Sequence, residues 1–162
     1  MVENRKLSPR NPNRQRRAFH LEFQEYVVGI SGWDWSYSLS LDKSRQRSEP
    51  YHEFRHLVIK GILLQPTLRI DQVEVTLLPN RNLDEERRKH HEPISIGTLE
   101  LRDDKMVGLI PMPMDALSPV LLMLICNRFK FLAMSGTEMY RRSTRLSGFR
   151  LEMTLEEEEE AP

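Results

Sequence analysis

From Trp33 to Asp42 the chain reads WDWSYSLSLD, with apolar and polar residues alternating without a break. Trp33, Trp35, Tyr37, Leu39 and Leu41 share one parity; Asp34, Ser36, Ser38, Ser40 and Asp42 fill the other. Successive side chains of a strand point to opposite faces, so the pattern predicts a strand with one apolar face. A helical period would scatter the same rings around the axis. A stripe that passes from aromatics into leucines has the character of core, which predicts the two indoles and Tyr37 packed inside. The competing reading is an exposed aromatic platform for sugar rings or single-stranded bases.

The same period recurs on both sides. Phe19, Leu21 and Phe23 alternate with His20, Glu22 and Gln24, and the strand continues through Tyr26, Val27 and Val28 to Gly29. Ile30, Ser31 and Gly32 predict a turn before the tryptophan strand. Leu57 to Leu64 predicts a strand buried on both faces near its end, with Gly61 marking a bulge or a close neighbour. Val73, Val75 and Leu77 form another half-buried strand, closed by Pro79-Asn80. Residues 80–93 are a charged loop in which Asp84 can cap a helical turn. Ile94 and Ile96 differ in parity from Leu99 and Leu101, and Gly97 between them predicts a bulge. Arg102-Asp103-Asp104-Lys105 predicts a hairpin connection into a strand from Met106 to Ile110. Phe129, Phe131 and Ala133 alternate up to Ser135-Gly136, and Phe149, Leu151, Met153 and Leu155 give the last strand.

One segment leaves this pattern. Pro111 to Arg128 is rich in leucine and methionine, which favours helix. Ser118-Pro119 reads as an N-cap followed by a first-turn proline. Val120 to Ile125 is apolar on all sides, which predicts burial around most of the circumference. The fold expected is therefore all-β, a mainly antiparallel β-sandwich or barrel of about eight strands, with one buried α-helix near residues 118–128.

Charge changes the picture only at the ends. The 162 residues carry 24 Lys plus Arg and 24 Asp plus Glu, so net charge selects no acidic or basic partner. Residues 1–17 are basic and contain few apolar groups, which predicts a flexible arm; residues 156–162 begin with a run of glutamates and predict a disordered acidic tail. A single β-rich domain over 18–155 lies between them. The longest apolar run, Val120 to Cys126, is too short to span a bilayer. Cys126 is the only cysteine, so no internal disulfide forms, and a cytoplasmic location is expected. Within the apolar helix its thiol is expected to be buried and inert.

Three chemical readings follow. His52-Glu53-Phe54-Arg55-His56 matches H-E-x-x-H. On a helix, His52 and His56 share a face and hold zinc while Glu53 activates the bound water. The motif runs straight into Leu57-Val58-Ile59, however, and a strand would send Glu53 to the face opposite the histidines. His90-His91-Glu92 is the other histidine cluster and closes a metal site only if its loop folds back. The arm's Arg14, Arg16 and Arg17, with Arg141, Arg142 and Arg145, present a phosphate-binding charge set. A solubilising terminus accounts for the same arm. No Gly-rich phosphate loop and no G-x-S-x-G occurs.

The reading adopted is a non-enzymatic binding or assembly protein, an adaptor or structural subunit that makes protein–protein contacts or self-associates, without a cofactor and without a membrane. The alternatives are a zinc-dependent hydrolase using Glu53 as catalytic base with His52 and His56 as ligands, and a nucleic-acid-binding protein acting through its basic arm.

Overall fold

The computed structural model describes residues 22–41, 50–80, 83 and 95–155. Seven strands dominate them: β1 (Phe23–Leu41), β2 (Tyr51–Gln65), β3 (Gln72–Asn80), β4 (Gly97–Arg102), β5 (Lys105–Pro113), β6 (Phe131–Thr137) and β7 (Ser143–Glu152). A 3-10 turn, Met114–Ala116, leads into the one helix described, α1 (Leu117–Ile125). The strands form one sheet in the order β1-β2-β3-β5-β4-β7-β6, and β6 pairs back onto β1, closing a barrel. Every pairing is antiparallel except β3 with β5. The all-β fold with a single helix is thus what the alternation implied.

The interior is filled by the inward parity of each strand. Tyr26, Val28, Leu57, Ile59, Val75, Leu77, Leu99, Met106, Ile110, Leu132, Met134 and Leu146 are buried. Tyr26 is the one core residue among these with a hydroxyl to satisfy, and it donates to the Thr137 carbonyl at 2.8 Å. The buried Thr144 hydroxyl donates to the same carbonyl at 2.6 Å. Burial pushes the Tyr26 hydroxyl above the ordinary tyrosine range; Glu138 adds to this and the bond with Thr144 opposes it.

One expected break is a bulge, and another bulge lies in β7 where no break was expected. Ile30-Ser31-Gly32 is no turn: β1 runs through it, and the pairing with β2 shifts between Ile30 and Gly32. The extra residue reverses parity, so Tyr26, Val28 and Ile30 share the inner face with Trp33 and Trp35. This merges two expected strands into one and gives seven rather than eight. At Gly61, which pairs with Ile30, an added Cβ would lie 2.3 Å from the Gly29 carbonyl oxygen. The close approach read from that glycine is present. In β7 the register shifts opposite Ser135/Gly136, so Thr144 and Leu146 face inward on one parity and Phe149 and Leu151 on the other. The strand therefore starts at Ser143, earlier than its hydrophobic pattern suggested. No bulge forms at Gly97, where a side chain would meet the Leu109 carbonyl oxygen at 2.5 Å.

The helix starts at Leu117, after the 3-10 turn, and Ser118 makes no side-chain cap. Pro119 sits in the first turn, where its missing N–H has no helical partner to lose. Only Leu117 and Leu124 are buried; Leu122, Ile125 and Cys126 face solvent. The helix lies on the barrel with one face, not surrounded by it, and the thiol expected to be buried is exposed. No helix of the described residues is long and apolar enough to cross a membrane.

Candidate functional site

The partners of β1 change along its length. From Phe23 to Gly29 it pairs with β6, and from Val27 onward also with β2. Beyond Ile30, whose N–H still reaches the Lys130 carbonyl, β6 is left behind. On the other side, β2 pairs with β3 only from Leu57 to Ile62. The paired segments Ser36–Leu41 and Tyr51–His56 therefore leave the barrel as a two-stranded ribbon. At the usual rise per residue it extends roughly 20 Å. Both its outer edges carry no strand among the described residues.

Directly opposed residues share a face in an antiparallel pair. The inner wall of the barrel, with Trp33 opposite Ile59 and Trp35 opposite Leu57, continues outward as Tyr37 opposite Arg55, Leu39 opposite Glu53 and Leu41 opposite Tyr51. The indoles are half-buried and packed against the core. Beyond them Tyr37 is 52% exposed, Leu39 57%, Leu41 62% and Tyr51 63%. The expectation that Tyr37 and the two leucines are core is thus overturned. Their alternation is that of a barrel strand, but the barrel ends at Trp35. In the middle of this face Arg55 pairs with Glu53 and lies 5.7 Å from the centroid of the Tyr37 ring. That pairing offsets both charges, which stay partly exposed among the rings and methyl groups of this face. The reverse face carries Ser36, Ser38 and Ser40 opposite His56, Phe54 and His52.

This geometry removes the helix that the H-E-x-x-H reading needs. His52 and His56 are on one face of a strand, four residues apart, which places their Cα atoms roughly 13 Å from each other. Glu53 points to the opposite face and is engaged by Arg55. Phe54 stands between the histidines, its ring 5.1 Å from that of His56. No group of three or more His, Cys, Asp or Glu able to hold a metal occurs among the described residues. His56 Nδ1 is buried without a hydrogen-bond partner. His90, His91 and Glu92 lie outside the described residues.

The basic candidates divide in the same way. Arg14, Arg16 and Arg17 are outside the described residues. Arg141 and Arg142 form the two-residue turn between β6 and β7, and Arg145 follows on the outer face of β7. No motif marked the ribbon as a site in the sequence. The available signal was the polar Lys43-to-Pro50 stretch directly after the alternating run, with Tyr51 resuming the apolar parity beyond it. Together they describe a hairpin longer than the barrel it belongs to. No family model matches the chain, and neither a curated protein nor a solved structure matches it.

Proposed function

We propose that the protein works by binding another protein chain through the β1–β2 ribbon, as an adaptor or structural subunit rather than as a catalyst. The observation behind this reading is the exposed face of Tyr37, Leu39, Leu41 and Tyr51 on a two-stranded element that has left its barrel. Exposed apolar residues that are contiguous, unlike scattered ones, mark interaction surfaces. Open strand edges add main-chain donors and acceptors, so an extended segment of the partner can pair with an edge while its side chains rest on the apolar face. Full burial of a leucine is worth about 1.5–3 kcal/mol, so the exposed portions of Leu39 and Leu41 offer roughly 1–2 kcal/mol each on docking. A cytoplasmic site of action accords with the single, exposed Cys126.

The test is a photo-crosslinking amino acid placed at position 39, with position 103 in the β4–β5 turn as control, in cells expressing the full chain. Adducts of higher mass are expected from position 39 and not from 103, and Leu41→Asp in the same chain abolishes them. Equal adduct patterns at both positions, or none at either, would remove the ribbon from the interface.

A further inference from the structure

At the end of the barrel where β6 passes into β7, a cleft of about 670 Å³ is bounded by residues that include Phe23, Thr137, Tyr140, Ser143 and Arg145. Beside it, Gly136 lets β6 and β7 approach closely, since a Cβ there would lie 2.6 Å from the Arg145 carbonyl oxygen. Phe23 is 73% exposed and Tyr140 44%, so two aromatic rings stand in solvent at one cleft. The single charge in the lining is Arg145, and the hydroxyl-bearing residues are Thr137, Tyr140, Ser143, Thr144 and Ser147.

The turn beside the cleft is unusual in composition. Tyr140 and Ser143 exchange backbone hydrogen bonds at 2.9 and 3.1 Å, closing a two-residue hairpin loop. Arg141 and Arg142 both have positive φ, at 49° and 66°. Such a loop favours Asn-Gly, and two side chains as bulky as arginine hold this backbone at a cost. Strain of this kind concentrates at functional positions. The guanidinium of Arg141 lies 5.2 Å from the centroid of the Tyr140 ring.

These arginines also differ from most strand cations in lacking a carboxylate. Arg55, Lys60, Arg102, Lys105 and Arg150 are each ion-paired. Arg141, Arg142 and Arg145 have no such partner among the described residues. Glu100, whose strand neighbour is Ser143, is engaged by Arg102, and Glu25 is engaged by Arg150. Glu22, Glu138 and, in the β4–β5 turn that follows the Leu101–Arg142 backbone bond, Asp103 and Asp104 are exposed acids at this end, and all four stand outside the cleft lining.

We propose that this cleft binds single-stranded nucleic acid. Phe23 and Tyr140 stack bases, and Arg145 with the Arg141-Arg142 turn meets the phosphates. Stacking on exposed rings beside a cationic groove is how sequence-tolerant single-strand binding works. Rings that must lie against unstacked bases disfavour a duplex, which separates this site from a purely electrostatic one.

The experiment is fluorescence anisotropy of the full chain with labelled oligo(dT) and oligo(U) of roughly twelve nucleotides, within the span of known single-strand sites, and with a duplex of the same length. Single strands are expected to bind at low salt and the duplex more weakly. Tyr140→Ala and Phe23→Ala, both at exposed positions, weaken binding by about tenfold each. Arg145→Ala lowers the slope of log affinity against log salt by about 0.7, the value for one phosphate contact on a single strand. No binding at low salt overturns the proposal. So does equal affinity for duplex. A third overturning result is binding that survives the Tyr140, Phe23 and Arg145 changes but is lost when Arg14, Arg16 and Arg17 are replaced by alanine, which would assign it to the arm alone.

Discussion

Replacing Gly61 by alanine places a methyl group where β1 and β2 cross at the bulge. Its carbon would lie 2.3 Å from the Gly29 carbonyl oxygen and 2.6 Å from Val28 Cγ1, whereas ordinary contact begins near 3.4 Å. The first of these atoms is backbone, so no rotamer change relieves the clash, and the strands must separate by about 1 Å. Overpacking of this kind costs about 1–3 kcal/mol. For a chain of this size that is a fall in Tm of roughly 2–12 °C. Gly32→Ala is the matched control on the same bulge. Nothing lies within 4 Å of an added Cβ there, and its φ is not positive. It should be neutral or stabilise by up to about 1 kcal/mol, because alanine has less freedom to lose on folding. Both variants are compared by urea and thermal unfolding followed by circular dichroism. If Gly61→Ala were as stable as Gly32→Ala, the register of β2 against β1 would be wrong, and the ribbon's faces with it.

Two further outcomes follow from particular side chains. The Tyr26 hydroxyl is raised by burial, so its neutral form belongs to the folded state; its contribution is complete below the ordinary tyrosine range, near pH 10, and declines as pH rises through and above it. Tyr26→Phe should cost about 0.5–1.5 kcal/mol at neutral pH for the lost bond to Thr137, and should flatten the alkaline fall in stability relative to the parent chain in pH-dependent denaturant titrations. An unchanged alkaline slope would count against this. Arg141→Asn combined with Arg142→Gly supplies the residues the β6–β7 turn prefers and should raise stability by about 1–2 kcal/mol in the same unfolding assay. A loss of stability would show that the two arginines contribute contacts that outweigh their backbone strain.

Much of the barrel is legible from period alone. Val73, Val75 and Leu77 alternate and are buried, and the Arg102–Lys105 hairpin turns where its two aspartates stand, Asp103 with φ of 43°. What period alone conceals is a change of parity inside one strand. At Ser31 and at Ser147 one extra residue moves the apolar set from one parity to the other, and a strict alternation rule reads a break or misses the strand's start. The two-residue register cannot say where a barrel ends either. Leu39 and Leu41 have the same neighbours in sequence terms as Trp33 and Trp35; only the departure of β3 at Leu57 and of β6 at Gly29 leaves them in water. The H-E-x-x-H letters were open to the same kind of reading, since the branched run Leu57-Val58-Ile59 that follows them marks a strand and carries that conformation back to Tyr51.

A binding role for the ribbon requires four side chains to be in water on an element that has outrun its barrel. Hydroxyl-radical footprinting of the full chain by itself, read by mass spectrometry, measures this directly at the tyrosines. Tyr37 and Tyr51 should oxidise rapidly, Tyr26 should be protected, and Trp33 and Trp35 should fall between them. Protection of Tyr37 and Tyr51 to the level of Tyr26 would mean that the ribbon's apolar face is already covered, and the proposed interface would be lost.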